Sequence, residues 1–185
     1  MTTPADWTAG DCLFVFGSLM DHDVLSLVAG MDMRSLKLQA ATVSGYRQAE
    51  VAEESYPVLV ESAGSGCNGL LIYGLTPVAL ERILFFEGEE YSLSPISVLP
   101  EDSVNGPVDA FYFRDAGVYS VQANAWSFET WQAEHKESFL VASREYMALF
   151  GSMTAAEADA HWLALANQSN ACSSEPSKRD ELAAG

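Results

Sequence analysis

The segment from Phe14 to Leu19 constrains the fold of this chain more than any other. Its apolar and aromatic residues predict a buried β-strand over residues 11–16, which Gly17 and Ser18 end before a helical pattern resumes. A glycine after a buried strand lets the backbone turn sharply and approach a ligand. The amides that follow can bind a carboxylate or phosphate without a charged side chain. Since ordinary turns have similar sequences, the segment alone leaves both interpretations open.

Two helices are predicted in the first half of the chain. Asp21 is suited to cap a short apolar helix that Gly30 ends. Thr76 and Pro77 are typical of the first positions of a second helix, and Gly88 is typical of the position that ends it.

Alternating apolar residues and turn signals predict five more strands, over residues 38–50, 56–62, 67–75, 91–99 and 109–115. Gly45 indicates a bulge or a close approach in the first of them. The small residues 63–66 predict a hairpin, and Asn105-Gly106-Pro107 predicts a turn. Several strands with two short helices indicate an α+β fold whose mixed sheet is partly barrel-like.

The C-terminal part changes to a helical period. Residues 127–150 place an apolar stripe on one helix face, which we interpret as core packing or as a lid over the barrel. Thr154 and Glu157 form a capping-box pattern at the start of another helix. We therefore expect one domain over residues 1–168, with its core at about 11–115, a helical extension at about 127–168, and a disordered tail over 169–185.

Charge and composition restrict the partners. The formal net charge of −17 argues against nucleic acid and anionic membranes, both of which require a basic surface. No apolar run is long enough to span a bilayer, and residues 1–10 lack the pattern of a signal peptide. Three widely spaced cysteines predict reduced thiols and a cytoplasmic protein. Arg34, Lys37 and Arg47 could help to bind an anionic substrate, or could be solvated surface charges.

A set of short motifs in a fixed order resembles the gamma-glutamylcyclotransferase-like family, which includes the gamma-glutamylamine cyclotransferases and the plant avirulence-induced proteins. The matching pieces span about residues 11–115: Phe16–Leu19, Gly45-Tyr46, Tyr56–Glu61, Gly69, and Phe86–Gly88 with Tyr91. The resemblance implies cyclisation of a small gamma-glutamyl compound, releasing 5-oxoproline and an amine or amino acid. It implies neither a metal nor a cofactor.

The resemblance also assigns site residues. It implies that Phe16, Gly17, Ser18 and Leu19 form the substrate-binding loop, whose amides and Ser18 hydroxyl would bind the α-carboxylate or the oxygen charge that develops at the γ-carbonyl. Tyr91 would line the pocket or orient the catalytic carboxylate; a half-buried strand tyrosine is an equally good interpretation.

Glu87 is the candidate general acid/base. The substrate ammonium must lose a proton before it attacks, the leaving nitrogen must gain one, and one carboxylate with a raised pKa can do both. Glu87 falls in the last turn of the predicted helix, and acidic and aromatic neighbours would raise its pKa. The resemblance places the family's catalytic glutamate at this residue. Without the resemblance, a solvated acidic patch is the simpler interpretation of Glu87 and its neighbours.

Two positions depart from the family pattern. Relatives usually have tyrosine where this chain has Phe16, and often arginine where it has Leu93. A non-catalytic binding or regulatory module of the same fold therefore remains an alternative, as does another reaction in the same cavity. The group attached to the γ-carbonyl stays open among amino acids, alkylamines, an isopeptide lysine and glutathione, and so does the oligomeric state.

The remaining candidates are weaker. Trp126, Trp131 and Tyr146 could line the pocket, although core packing is the better interpretation of each. His22 is interpreted as part of a helix start and His135 as a core histidine, and neither has other ligands at metal spacing.

Overall fold

The computed structural model describes residues 7, 8, 10–52, 54–117 and 119–173, with side chains up to residue 165. Six strands are present: β1 (Cys12–Val15), β2 (Lys37–Val51), β3 (Pro57–Tyr73), β4 (Tyr91–Pro100), β5 (Val108–Asp115) and β6 (Val121–Ala125). The five α-helices are α1 (His22–Ala29), α2 (Pro77–Glu87), α3 (Phe128–Glu134), α4 (Lys136–Met147) and α5 (Ala155–Ser173). Short 3₁₀ turns lie at Ser18–Met20 and Met33–Ser35.

Five strands close into a small barrel, in the order β3-β1-β5-β4-β2 and back to β3. All of these pairs are antiparallel except β1 with β5, which run parallel at Leu13 and Phe111. β6, which the sequence analysis did not predict, pairs with the far end of β2 outside the ring. The α+β class and the barrel-like sheet are thus confirmed.

Alternate side chains of β1 belong to two different apolar clusters, one on each face of the strand. Cys12, Phe14 and Phe16 pack in the barrel interior with residues of β2 to β5, whereas Leu13 and Val15 face the helices. This is the two-residue period of a strand that is buried on both faces. The described free thiols are both buried, and burial raises the pKa of Cys67 to about 12. Cys172 lies outside the described side chains.

The hairpin predicted at residues 63–66 is wrong. Residues 57–73 form one strand, because both of its halves pair with β2 and not with each other. Ser44 pairs with Gly66 and Tyr46 with Glu61, so Gly45 alone faces a four-residue excursion. Gly45 has φ 82°, a conformation that favours glycine, and this confirms the predicted bulge.

The predicted helix ends in the first half are confirmed. The Asp21 side chain accepts hydrogen bonds from the amides of Asp23 and Val24, and Gly30 ends α1 in the left-handed region. The Thr76 side chain caps α2 at the amide of Ala79, with Pro77 as the first helical residue. Side chains of α1 and α2 bury the outer face of the barrel.

The C-terminal part differs from the single helix predicted over residues 127–150. The chain turns at His135, where α3 ends and α4 begins. His135 is exposed, so its assignment as a core histidine is wrong. Trp131 is buried, and Phe139 and Tyr146 pack against the same core, as expected for the stripe. None of the described helices is long and apolar enough to cross a lipid bilayer.

α5 begins with the predicted capping box, since Thr154 and Glu157 exchange hydrogen bonds. The helix continues to Ser173, so residues 169–173 are helical where a disordered tail was expected. The rest of that expected tail lies outside the described residues. The division into one domain of 168 residues and a tail stays a prediction.

Candidate functional site

A cavity of about 440 Å³ lies between the barrel and the C-terminal helices. All six residues predicted for the site line it: Phe16, Gly17, Ser18, Leu19, Glu87 and Tyr91. They come from two segments nearly seventy residues apart, which meet because β1 and α2 both end at this side of the molecule. The structure thus brings the predicted residues together, while their chemical roles stay predictions.

The loop after β1 offers unused hydrogen-bond donors. The amides of Met20 and Asp21 donate hydrogen bonds to the carbonyls of Gly17 and Ser18, and these bonds form the 3₁₀ turn. The amides of Gly17, Ser18 and Leu19 donate to no acceptor among the described residues. Ser18 is buried, and its hydroxyl has no partner there either. These groups can bind a carboxylate or an oxyanion at the cavity wall.

Gly17 lies close to β3 and does not adopt a left-handed conformation. The chain bends at Gly17, as expected, but its φ of −130° is accessible to other residues. A Cβ at this position would lie 3.1 Å from Cδ of Pro57, the first residue of β3. The loop therefore packs directly on β3, which is a neighbour of β1 in the ring.

Phe16 contributes an apolar ring and a backbone carbonyl. Its ring belongs to the barrel interior, with its centroid 6.4 Å from that of Phe14. Its carbonyl accepts a hydrogen bond from Nε2 of Gln48. Leu93, the second departure from the family pattern, is buried in the core that faces the helices and does not line the cavity.

Glu87 is the last residue of α2, and Gly88 ends the helix with φ 73° and ψ −174°. The carboxyl group lines the cavity but forms no hydrogen bond or ion pair with any described residue. Burial raises its pKa to about 8. The neighbouring Glu89 and Glu90, which the sequence suggested as a cause, are exposed. A carboxyl group with such a pKa can both accept and return a proton near neutral pH.

Tyr91 lies in a group of tyrosines beside Glu87. Its ring centroid is 5.7 Å from that of Tyr119, whose hydroxyl donates a hydrogen bond to Glu90 and lies beside those of Tyr91 and Tyr56. Burial, then the Glu87 charge, raise the pKa of Tyr91. No hydrogen bond joins Tyr91 to Glu87 among the described residues. Tyr91 therefore lines the pocket and contacts Tyr119.

The helical extension supplies a wall that the sequence analysis largely missed. Phe139 and Tyr146 of α4, and Asp159 and Trp162 of α5, line the cavity. Of these four, the sequence offers only Tyr146 as a candidate pocket residue, with core packing as the better interpretation. The aromatic stripe on residues 127–150 was the signal that could have identified Phe139.

Trp126 and Trp131 do not line the cavity and have structural contacts. Trp131 is buried and stacks on Phe128 with the ring planes 9° apart. Trp126 donates its indole hydrogen bond to the carbonyl of Ser55 at 2.8 Å. Core packing, the better of the two interpretations, is confirmed for both.

The lining of the cavity is acidic and aromatic. It includes Glu54, Glu87, Glu90 and Asp159, and none of the described lining residues is lysine, arginine or histidine. Arg34, Lys37 and Arg47, which we considered for anion binding, lie outside it. Within the described chain, no three His, Cys, Asp or Glu side chains are grouped so that they could hold a metal ion.

Proteins of Arabidopsis thaliana are similar in sequence to most of this chain. AIG2-like protein D is 27% identical over 139 residues, which cover 72% of this chain and 87% of that protein. AIG2-like protein A is 26% identical over 135 residues, or 73% of this chain and 80% of that protein.

Solved structures show the same fold. The solution structure of one Arabidopsis thaliana protein has a TM-score of 0.52 at 25% identity, covering 76% of this chain and 93% of the other. A second solution structure from that plant reaches a TM-score of 0.55 over 95% of this chain and 94% of the other, at 21% identity. This second likeness concerns the fold alone.

The sequence profile of one family matches residues 13–146, well over half of the 185 residues, and this match includes the loop, Glu87 and Tyr91. The chain belongs to the family described as gamma-glutamyl cyclotransferase, AIG2-like.

Proposed function

We propose that this protein cyclises the gamma-glutamyl group of a small amide, with Glu87 as general acid and base. The observation that carries the proposal is the position of an unpartnered carboxyl group, with a pKa of about 8, in the same cavity as three unused backbone amides. Membership of the family supports this reaction class.

The amides of Gly17, Ser18 and Leu19 would hold the α-carboxylate of the substrate or the developing oxyanion. Such donors are fixed by the backbone, so they need not reorganise as charge develops. They also suit a cavity whose lining includes no described basic side chain, since dipoles can bind an anion there without a cation.

Glu87 in its carboxylate form accepts a proton from the α-ammonium group. The freed amine attacks the γ-carbonyl carbon, which forms the ring C–N bond. The tetrahedral intermediate then collapses with cleavage of the original amide C–N bond, and Glu87 returns the proton to the leaving nitrogen. The ring nitrogen also loses its second proton as it becomes an amide, and the released amine takes that proton up. The products are therefore 5-oxoproline and an ammonium ion, no water is consumed, and Glu87 ends in its starting state.

The test compares Glu87→Gln with Glu89→Gln. Glu89 is exposed and does not line the cavity, so its variant controls for loss of an acidic group nearby. We expect release of 5-oxoproline from gamma-glutamyl substrates by the wild-type chain and by Glu89→Gln. Loss of at least about a hundredfold in Glu87→Gln would fit the usual contribution of general acid–base catalysis.

Full activity in Glu87→Gln would contradict this role. Tight binding of gamma-glutamyl compounds without any 5-oxoproline would instead support a non-catalytic binding module, the alternative that the phenylalanine at position 16 keeps open.

A further inference from the structure

The wall that faces Glu87 has the composition of a site for an organic cation. Asp159 Oδ1 accepts a hydrogen bond from the Tyr146 hydroxyl at 2.6 Å. Its Oδ2 atom lies beside Gly88, 3.2 Å from the place that a Cβ there would occupy. Apart from Tyr146, Asp159 has no hydrogen-bond or ion-pair partner among the described residues. One carboxylate oxygen thus remains available next to the residue that follows Glu87.

Aromatic rings pack around the tyrosine that binds this carboxylate. The Tyr146 ring centroid lies 6.0 Å from that of Trp162 and 6.5 Å from that of Phe86, in both cases edge to face. Phe139 also packs on Phe86, with centroids 6.1 Å apart. Tryptophan and tyrosine faces attract ammonium groups, and the attraction strengthens where water is excluded.

The described lining of the cavity has no cationic side chain, so an anion there depends on neutral donors, chiefly the amides of the loop. Three unused amides at Gly17, Ser18 and Leu19 suffice for one carboxylate, which the gamma-glutamyl group itself supplies. A second carboxylate, on the leaving group, would meet Asp159 and Glu90 without a lysine, arginine or histidine among the described lining residues. The net charge of −17 would also disfavour its approach.

We propose that the leaving group is a cationic amine of the α,ω-diamine class, whose distal ammonium binds between Asp159 and the rings of Tyr146 and Trp162. This inference rests on the proposed function, because it specifies the substrate of that reaction. It assigns the C-terminal helices the role of selecting the leaving group, while the barrel loop and Glu87 act on the common gamma-glutamyl part.

The test uses three gamma-glutamyl amides of similar length that differ in terminal charge. Their amine components are 1,4-diaminobutane, n-butylamine and 4-aminobutanoate, which end in a cation, a methyl group and an anion. The readout is kcat/KM for 5-oxoproline release by the full chain. We expect the diamine derivative to exceed the butylamine derivative about tenfold, and the aminobutanoate derivative to be the poorest substrate.

Asp159→Asn keeps an acceptor for the Tyr146 hydroxyl but removes the charge. We expect it to bring the ratio of diamine to butylamine close to one. Trp162→Leu, a second variant on the same wall, should lower that ratio as well. Glu145→Gln is the matched control, since Glu145 is an exposed acid on α4 outside the cavity, and it should keep the wild-type ratio.

A wild-type ratio near one, or a high ratio that persists in Asp159→Asn, would overturn the cationic leaving group and leave the cyclisation standing. Failure of all three compounds to yield 5-oxoproline would overturn the proposed reaction instead. Calorimetric binding of the same compounds would then decide the inference separately. Tighter binding of the diamine derivative, lost in Asp159→Asn, would support it, and equal binding of all three would refute it.

Discussion

The Nζ atom of Lys136 lies 2.8 Å from Oδ2 of Asp21, and this pair joins the C-terminal helices to the end of the loop that lines the cavity. The same carboxylate caps α1 and accepts a hydrogen bond from Nε2 of Gln132 at 2.8 Å. Its side chain is only 2% exposed. One buried acid therefore fixes the position of the corner between α3 and α4 relative to the barrel.

Asp21→Ala should destabilise the fold by about 2–4 kcal/mol, since it removes a helix cap and one partner of a largely buried ion pair. Asp23→Ala is the control, because Asp23 also lies 2.7 Å from Nζ of Lys136 but is 70% exposed. It should cost less than about 1 kcal/mol. Urea unfolding at neutral pH measures both, and equal losses would contradict the structural role of Asp21.

The contribution of Asp21 should also depend on pH. Burial acts to raise its pKa, but the hydrogen bonds from Lys136, Gln132 and two amides outweigh it and hold the pKa below the ordinary value. The stabilisation by the Asp21 carboxylate is therefore complete above the pKa that this group has in the unfolded chain. It is lost as the pH falls through the lower pKa that the group has in the folded protein. The difference in unfolding free energy between wild type and Asp21→Ala should shrink under acidic conditions. A constant difference would contradict this assignment.

Glu87→Gln should stabilise the protein at alkaline pH. Burial raises the pKa of Glu87 from 4.5 to about 8, so the folded state disfavours the charged form. As the pH rises between these values, the unfolded chain loses the proton first and wild-type stability falls. The variant should match wild type near pH 4 and exceed it near pH 9, as measured by urea unfolding. Glu89→Gln, at an exposed position, should show no such trend.

The activity should follow the same ionisation. If Glu87 accepts the proton in the free enzyme, kcat/KM for 5-oxoproline release should rise with pH and level off above about 8. A rising limb centred near 4.5 would mean that the carboxyl group has an ordinary pKa. Glu89→Gln should leave the position of the limb unchanged.

Gly69→Ala should disrupt the barrel near the cavity. A Cβ on Gly69 would lie 2.3 Å from the carbonyl oxygen of Val15 and 2.7 Å from the ring of Phe14. Relief requires a shift of backbone on β1, so we expect a loss of about 3 kcal/mol or more. Gly10→Ala is the control, since its Cβ would approach nothing closer than 3.8 Å. Thermal unfolding of both variants checks the difference.

Local signals in the sequence were sufficient for most helices and strands. The caps at Asp21 and Thr76 and the stop at Gly30 depend on side chains within a few residues, so their chemistry can be interpreted without the fold. The hairpin at residues 63–66 failed because small residues indicate a change of direction without identifying the partner strand. That partner is β2, which runs alongside both halves.

The candidate site also contains one part that the sequence identifies and another that only the fold brings into place. The loop and Glu87 stand in short motifs with a fixed order, and a resemblance could identify them. Asp159 and Trp162 lie on a helix whose sequence carries no such motif, and only the packing of α4 and α5 against α2 brings them to the cavity. The raised pKa of Glu87 also depends on that packing, because the cause is burial and not the acidic neighbours.

The single parallel contact of the ring has a consequence for folding during synthesis. β2 with β3, and β4 with β5, are antiparallel neighbours along the chain and can pair as soon as each has left the ribosome. β1 must wait for both of its partners, since it pairs with residues 70–73 and with Phe111. The barrel therefore closes only after about three fifths of the chain has been made, and distant contacts of this kind slow the final step. β1 can pair with β3 once residue 73 has been made, but its other edge has no partner strand until β5 follows.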